Sequence, residues 1–361
     1  MHYTVDTKEF RAALEKIRCI NPEAVQVRGH NKRLHLCAMV HSYTPHGYRL
    51  YLDISMPSVG AFSEDGQSCI IGFRSFLKPG DIERRATGNV ELHSLPGSFL
   101  KICRIDTTAS QTWSLEGSDK LNNVYGNESR PGVTGEPSLF AELASPDCRM
   151  FGFIHRTLSA DKIRPVFTGA QVTQEAVTST DGFRLSTAPF TAKPEGKGEG
   201  IMPAELVAFI AAGNTGILEL YGDMFVLTGE NFVCYARCVE GRFPDFSRLI
   251  SQYPDATAVL DTSDTINTLK MLSKGLRSPI LVLQGHNATC RSSKAPGNER
   301  TARITVLSGE IKDLAVNPMY LLDALSNYDG DSFTLDTIDG DSPMFVTRKD
   351  NARAVIMPIQ A

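Results

Sequence analysis

The stretch YTVDTKEFRAALEKI at residues 3–17 decides the fold, because its pattern returns at residues 258–272 as AVLDTSDTINTLKML. Both begin with a short apolar run, pass through an Asp-Thr pair and continue with apolar residues at three- and four-residue spacing. These are Phe10, Leu14 and Ile17 in the first copy and Ile266, Leu269 and Leu272 in the second. The pattern predicts a strand running into a helix with one apolar face, the aspartate capping the unpaired amides of the first turn. A weaker copy, ELASPDCRMFGFIHRTL at 142–158, places Ser145-Pro146-Asp147 at the same point.

A second element also occurs three times: IGFRSFLKPGDI (71–82), IMPAELVAFIAA (201–212) and VNPMYLLDALSN (316–327). Each reads as an extended entry followed by a short helix, with proline near the first helical position in the last two. The copies are spaced by close to a third of the chain, which predicts three similar tandem domains at 1–130, 131–253 and 254–361. Between the helices lie alternating runs broken by turns, such as RLHLCAMV and GILELYGDMFVLTGENFVCYARCV. The expected fold class is therefore α+β, each domain strand-rich with two helices. Boundaries fall in the Gly/Pro/Ser-rich stretch 125–138 and at SQYPDA, 251–256.

The chain has 361 residues, 42% hydrophobic and 22% charged, with 37 Lys+Arg against 41 Asp+Glu and a net charge of -4. That balance excludes a uniformly basic surface, so contact with nucleic acid has to be local. No apolar run is long enough to span a membrane, and the first residues lack a secretory pattern, so the expected location is the cytoplasm with no membrane partner.

The eight cysteines form no Cys-x-x-Cys pair, and they are expected to be reduced and mostly buried, Cys234 and Cys238 sharing one face of a strand. His35, Cys37, His41 and His46 crowd HLCAMVHSYTPHGY without a metal-ligand spacing, so no metal is expected there. Phosphate-binding glycine loops, Gly-x-Ser-x-Gly elbows and His-Glu-x-x-His are all missing, and no cofactor or catalytic residue is assigned. The acidic run DTIDGDS (336–342) misses the spacing of a calcium loop and reads as a hairpin turn.

Five stretches carry a resemblance. KIRPVFTGA (162–170), STDGFRLS (179–186), VEGRFPDFSRLI (239–250), VNPMYLLDAL (316–325) and AVIMPIQA (354–361) resemble, in order, segments of the bacterial DNA polymerase III β subunit, the ring-shaped sliding clamp family. The likeness is good over 140–361 and weak over 1–130. It implies a non-enzymatic processivity factor that encircles duplex DNA as a dimer and tethers the polymerase, the clamp loader and other partners. A clamp-fold interaction scaffold that does not encircle DNA is the alternative.

By that resemblance, a pocket for a Gln-led hydrophobic peptide would be built from Phe167, Thr180, Gly182, Phe183, Arg184 and Leu185, then Pro244, Arg248, Leu249, Leu276, Asn317, Tyr320 and Pro343. Val355, Met357, Pro358 and Ile359 would complete it. Apolar walls with Arg184, Arg248 and Asn317 as donors suit such a ligand. Phe183 stands where the family usually has histidine and Phe167 where it has leucine, and Ile359-Gln360-Ala361 replaces a more basic tail. These changes imply a bulkier pocket with a less charged rim.

The resemblance also implies a DNA-facing set of Lys8, Arg11 and Arg18, of Arg149, Arg156, Lys162 and Arg164, and of Lys270, Lys274 and Arg277. Phosphate contacts of this kind are indifferent to sequence and sensitive to salt. Ring closure would set Trp113 and Leu115, in QTWSLEG, against Met271 and Leu272 of the partner, head to tail.

Overall fold

The computed structural model describes residues 2–41, 48–59, 69–72, 88–95, 99–105, 110–116, 131–246, 249, 254–276, 279–292 and 295–359. The second-element copy at 71–82 lies largely outside them. Five α-helices are bounded among the described residues, Thr7–Ile20, Ser145–His155, Ala204–Ala211, Thr262–Ser273 and Pro318–Ala324, with a short 3-10 helix at Pro165–Thr168. The chain divides into two compact units, residues 1–143 with 208–238 and residues 144–207 with 239–361.

In the first unit the strand His2–Asp6 feeds directly into the helix Thr7–Ile20. Asp6 Oδ1 accepts from the amides of Lys8 (2.8 Å) and Glu9 (3.1 Å), as the Asp-Thr pair predicts. Phe10, Leu14 and Ile17 are buried, each contributing about 1.5–3 kcal/mol of apolar transfer. His2–Asp6 opens a sheet that continues through Asn89–Leu95, Phe99–Ile105 and Ser110–Glu116. A larger antiparallel sheet runs from Leu139–Leu143 through Gly216–Tyr221, Met224–Thr228, Phe232–Arg237, Tyr48–Pro57, Arg33–His41 and Ala24–His30 to Cys69–Gly72. Its inner face gathers Ala24, Cys37, Met39, Tyr51, Met224, Val226 and Tyr235. Gly29 is required where it stands, since a Cβ there would lie 2.2 Å from the Tyr3 ring.

His35 of the His-rich stretch joins the ion pair of Arg28 and Asp53. Asp53 bonds His35 Nδ1 (2.8 Å) and Arg28 (2.9 Å). Burial alone would raise the Asp53 carboxyl, but His35 and Arg28 outweigh it and hold the group below its ordinary range. Cys37 is buried beside them, and that burial pushes its thiol up to about 12. His46 lies outside the described residues. Cys19, Cys37, Cys148, Cys234, Cys238 and Cys290 are free thiols.

The second unit is built on nine antiparallel strands in the order Gly200–Pro203, Gly169–Val172, Val177–Thr180, Arg184–Ala188, Arg353–Ile356, Met344–Arg348, Ser332–Thr337, Ala256–Asp261 and Val306–Gly309. The central pairing joins strands from distant parts of the chain, with Arg184 opposite Ile356 and Leu185 opposite Val355. Pro279–Gln284, Asn287–Ser292, Ala295–Arg303 and Leu314–Val316 make a smaller sheet.

The helix Ser145–His155 is tied to the strands that flank residues 181–183. Ser179 Oγ donates to Ile154 O (2.8 Å), and the Thr157 and Ser186 hydroxyls meet at 2.6 Å. Buried Asp147 accepts from the amides of Ala144 and Thr191, both at 2.8 Å. Asp261 caps Thr262–Ser273 through the Asp264 amide (2.7 Å), as its counterpart Asp6 does. The buried face of this helix differs from the expected one. Leu269 and Leu272 are inside, but threonines 262, 265 and 268 share that face and Ile266 is only half-buried.

Candidate partner-binding site

The Thr180 to Leu185 segment is a tight reversal between two strands. Asp181 Oδ1 accepts from the amides of Phe183 (2.9 Å) and Arg184 (3.1 Å), and Thr180 Oγ1 donates to Arg184 O (2.7 Å) while accepting from the Gly182 amide (3.1 Å). Gly182 takes φ +93°, the left-handed side that glycine tolerates. The reversal leaves Phe183 61% exposed at its tip, while Leu185 turns inward to 4%.

Leu185 forms an apolar cluster with Phe345 and Val355, against which Phe246, Leu249 and Ile338 pack. Phe246 meets Phe243 edge-on (5.9 Å between centroids), and Phe243 meets Phe167 in the same way (6.4 Å), so aromatic contacts lead from the cluster to Phe167. The last strand comes alongside: the Met357 amide donates to Phe183 O (3.0 Å), and the Ile359 amide donates to Ala315 O (2.7 Å). Met357 is 40% exposed. Exposed Phe183 and Met357 thus stand side by side, joined through the backbone, at the end of strands on which the residues two positions along, Leu185 and Val355, are buried.

Arg184 does not serve as the free donor expected of it. Its Nε donates to Asp181 (2.9 Å), one terminal nitrogen to Asp323 (2.7 Å) and the other to Arg156 O (2.7 Å), and its guanidinium stacks 4.2 Å from the Tyr320 ring centroid. All three faces of the fork are engaged, so the residue braces the turn against the helix Pro318–Ala324. Asn317 is likewise occupied as that helix's cap, accepting from the Met319 amide (2.9 Å). Burial, then the charge of Asp181, raises the Tyr320 hydroxyl above its usual range.

The structure thus joins Phe167, Thr180, Gly182, Phe183, Arg184, Leu185, Leu249, Asn317, Tyr320, Val355, Met357 and Ile359 through contacts or chain continuity. Pro244 lies between Phe243 and Phe246, whose rings meet edge-on, and Pro358 between Met357 and Ile359. Leu276 and Pro343 are not members of the apolar cluster. Arg248 lies outside the described residues. Phe243, Phe246, Ile338 and Phe345 escaped sequence reasoning. FPDF offered a partial signal for the first two, since two phenylalanines at i and i+3 beside a proline suggest anchored rings.

Of the basic set, Lys8, Arg149, Arg156, Lys162, Arg164, Lys270 and Lys274 are exposed, while Arg11 and Arg18 are half-buried. Arg18 pairs with Glu15 (3.1 Å), Arg164 with Asp161 (3.5 Å) and Arg149 with Asp329 (3.7 Å). Arg277 lies outside the described residues. Trp113 and Leu115 fall on Ser110–Glu116, the last strand in its sheet order, with their side chains outside the described residues. Their expected counterparts part company. Met271 is 58% exposed, but Leu272 is 2% exposed and belongs to the core of its own chain, which removes it as an interface anchor. The helix turns by about 100° per residue, so adjacent positions cannot both face outward on one stripe.

No protein-family model matches the chain. It is 27% identical over 227 residues to the beta sliding clamp homolog GriR of Streptomyces muensis, covering 56% of this chain and 61% of that protein. It is 24% identical over 218 residues to the beta sliding clamp of Chlamydia pneumoniae, covering 56% and 60%. The match therefore spans less than two thirds of these relatives' length. In three dimensions the likeness extends over 100% of both chains. The TM-score is 0.77 at 16% identity against a DNA polymerase sliding clamp from Pseudomonas aeruginosa. It is 0.76 at 18% identity against the Helicobacter pylori beta clamp bound to a DNA ligase peptide. The chain is a divergent relative of the bacterial beta sliding clamps and has their fold.

Proposed function

We propose that the chain acts as a DNA sliding clamp, a non-catalytic processivity factor of three domains at 1–130, 131–253 and 254–361. In this reading it closes head to tail as a homodimer around duplex DNA and tethers the polymerase, the clamp loader and other partners through the apolar site around Phe183 and Met357. The observation that carries the reading is the juxtaposition of those two exposed side chains above the buried cluster of Leu185, Phe345 and Val355. A rigid floor with exposed apolar edges suits a short hydrophobic peptide, because little of the site has to be ordered on binding. The peptide held by the Helicobacter pylori clamp adds support from a protein of the same fold.

The peptide expected here has a glutamine followed by spaced leucine and phenylalanine side chains, and binds with a Kd on the order of micromolar. Phe167 and Phe183 narrow the site and favour selection among such peptides. Calorimetric titration tests this with wild type, Met357→Ala and Phe183→Ala. Both variants remove exposed side chains, so the fold should survive while affinity falls severalfold. Equal binding by all three proteins places the partner site elsewhere. Leu185→Ala is a poor probe, since it opens a cavity in the core.

Exposed Lys8, Lys270 and Lys274 supply phosphate contacts in this reading, and Met271 replaces Leu272 as the apolar anchor toward Trp113 and Leu115 of a second copy. Met271→Glu is expected to shift the species in sedimentation from dimer to monomer without unfolding it, because Met271 is exposed.

A further inference from the structure

The first strand carries a cluster that the clamp reading does not use. His2–Asp6 pairs antiparallel with Asn89–Leu95, with His2 opposite His93 and Thr4 opposite Glu91. Residues two apart on a strand share a face. His2 and His93 therefore face each other directly across the pair, with Glu91 on the diagonal from His2 and within side-chain reach.

The side chains converge as that register requires. The two imidazoles stack with centroids 4.1 Å apart and planes 17° from parallel, and His93 Nε2 lies 3.4 Å from Glu91 Oε2. One donor atom from each of the three lies within 4.8 Å of the others, and all three residues are half-buried. His2 Nε2 is closed off from solvent and, among the described residues, has no hydrogen-bonding partner. Buried polar atoms ordinarily have one.

We propose that His2, Glu91 and His93 form a binding site for a divalent transition-metal ion of the zinc class, fastening the first strand to its neighbour. Two imidazoles and one carboxylate are a zinc donor set that leaves the fourth position to water. Magnesium and calcium call for oxygen ligands in larger number. In the stacked arrangement the ring planes are nearly parallel, so the lone pairs lie in separate, roughly parallel planes and the ion enters once one ring rotates about its Cβ–Cγ bond. The helix Thr7–Ile20 follows His2–Asp6 without a break, so an ion here also anchors the start of that helix.

The test uses the full chain without an affinity tag, freed of metal by a chelator and titrated with Zn2+ by calorimetry, with thermal unfolding followed in parallel. One equivalent of Zn2+ is expected to bind and to raise the unfolding temperature, as any ligand selective for the folded state does. Mg2+ at the same concentration should leave it unchanged. His93→Gln should lose at least tenfold in Zn2+ affinity and all of the thermal shift, while unfolding as wild type does without metal. If His93→Gln fails to fold, Glu91→Gln decides by the same criterion. Absence of Zn2+ binding to wild type overturns the proposal. Undiminished binding by the deciding variant also does so, placing the ion at other ligands.

Discussion

Three Asp-Gly pairs lie in the second unit; at two of them, Asp181-Gly182 and Asp339-Gly340, the aspartate closes a turn, and only one of these turns builds a site. Each aspartate closes its own turn, Asp181 through the amides of Phe183 and Arg184, and Asp339 through those of Asp341 (3.0 Å) and Ser342 (2.6 Å). That much is the local chemistry of an aspartate folding back on its backbone. They differ at the third residue after the aspartate. Arg184 reaches Asp323, 139 positions away, and the carbonyl of Arg156, whereas Ser342 makes no such link among the described contacts. Gly182 sits at φ +93°, and Gly340 is not among the positive-φ glycines. A turn motif therefore marks a reversal, and the residue that follows it determines whether distant elements are gathered there.

Removing the brace should give the largest effect. Arg184→Met leaves Asp181 and Asp323 facing each other without their cation, and because the arginine is only 12% exposed the cost should be about 3 kcal/mol. A urea unfolding midpoint measures it. Arg184→Lys keeps the charge but not the fork and should fall between. A midpoint unchanged in Arg184→Met would mean that the two turns are equivalent after all.

The glycines sharpen the contrast at a smaller scale. Gly182→Ala should destabilise by about 1 kcal/mol, because the side chain disfavours the positive φ. The Cβ would also meet Arg164 Nη1 at 2.8 Å, but that exposed side chain can move aside. Gly340→Ala meets only Asp313 O at 3.3 Å and should cost less than about 0.5 kcal/mol. Equal effects would contradict the assignment of strain to the first turn alone.

The smallest effect is expected at Asp339. Hydrogen bonds, from the Ser342 side chain first, hold its carboxyl below the ordinary carboxylate range. A lowered carboxyl contributes stability that is present above its unfolded pKa and lost as pH falls through the folded value. The group is fully exposed, so Asp339→Asn should leave the unfolding midpoint at neutral pH unchanged. An NMR titration of Asp339 should show the depressed value directly.

What could be read from the sequence was local. Asp6 and Asp261 announced two helices, and Phe10, Leu14 and Ile17 announced a buried face, because capping and periodicity act within a few residues. The resemblance carried by STDGFRLS and AVIMPIQA brought the two ends of the site together. It could not reveal that Arg184 would be consumed by Asp323, or that Phe345 and Ile338 would close the floor, since those contacts follow from strand register over long separations. Leu272 was misassigned because an apolar residue beside an exposed one looks the same in sequence whichever of the two faces inward. The buried threonines of Thr262–Ser273 escaped notice for a related reason: a small hydroxyl residue packs inside a helix face as readily as it sits outside.

The central claim is encirclement of DNA, and retention on circular against linearised DNA tests it most directly. The protein is loaded on a nicked circular plasmid and passed through gel filtration at rising salt, before and after a single cut. A ring that slides should stay with the circle at salt concentrations where phosphate contacts alone are lost, and should run off the ends once the plasmid is cut. Equal loss from circular and linear DNA would contradict the account and leave a clamp-fold scaffold that binds partners without encircling DNA.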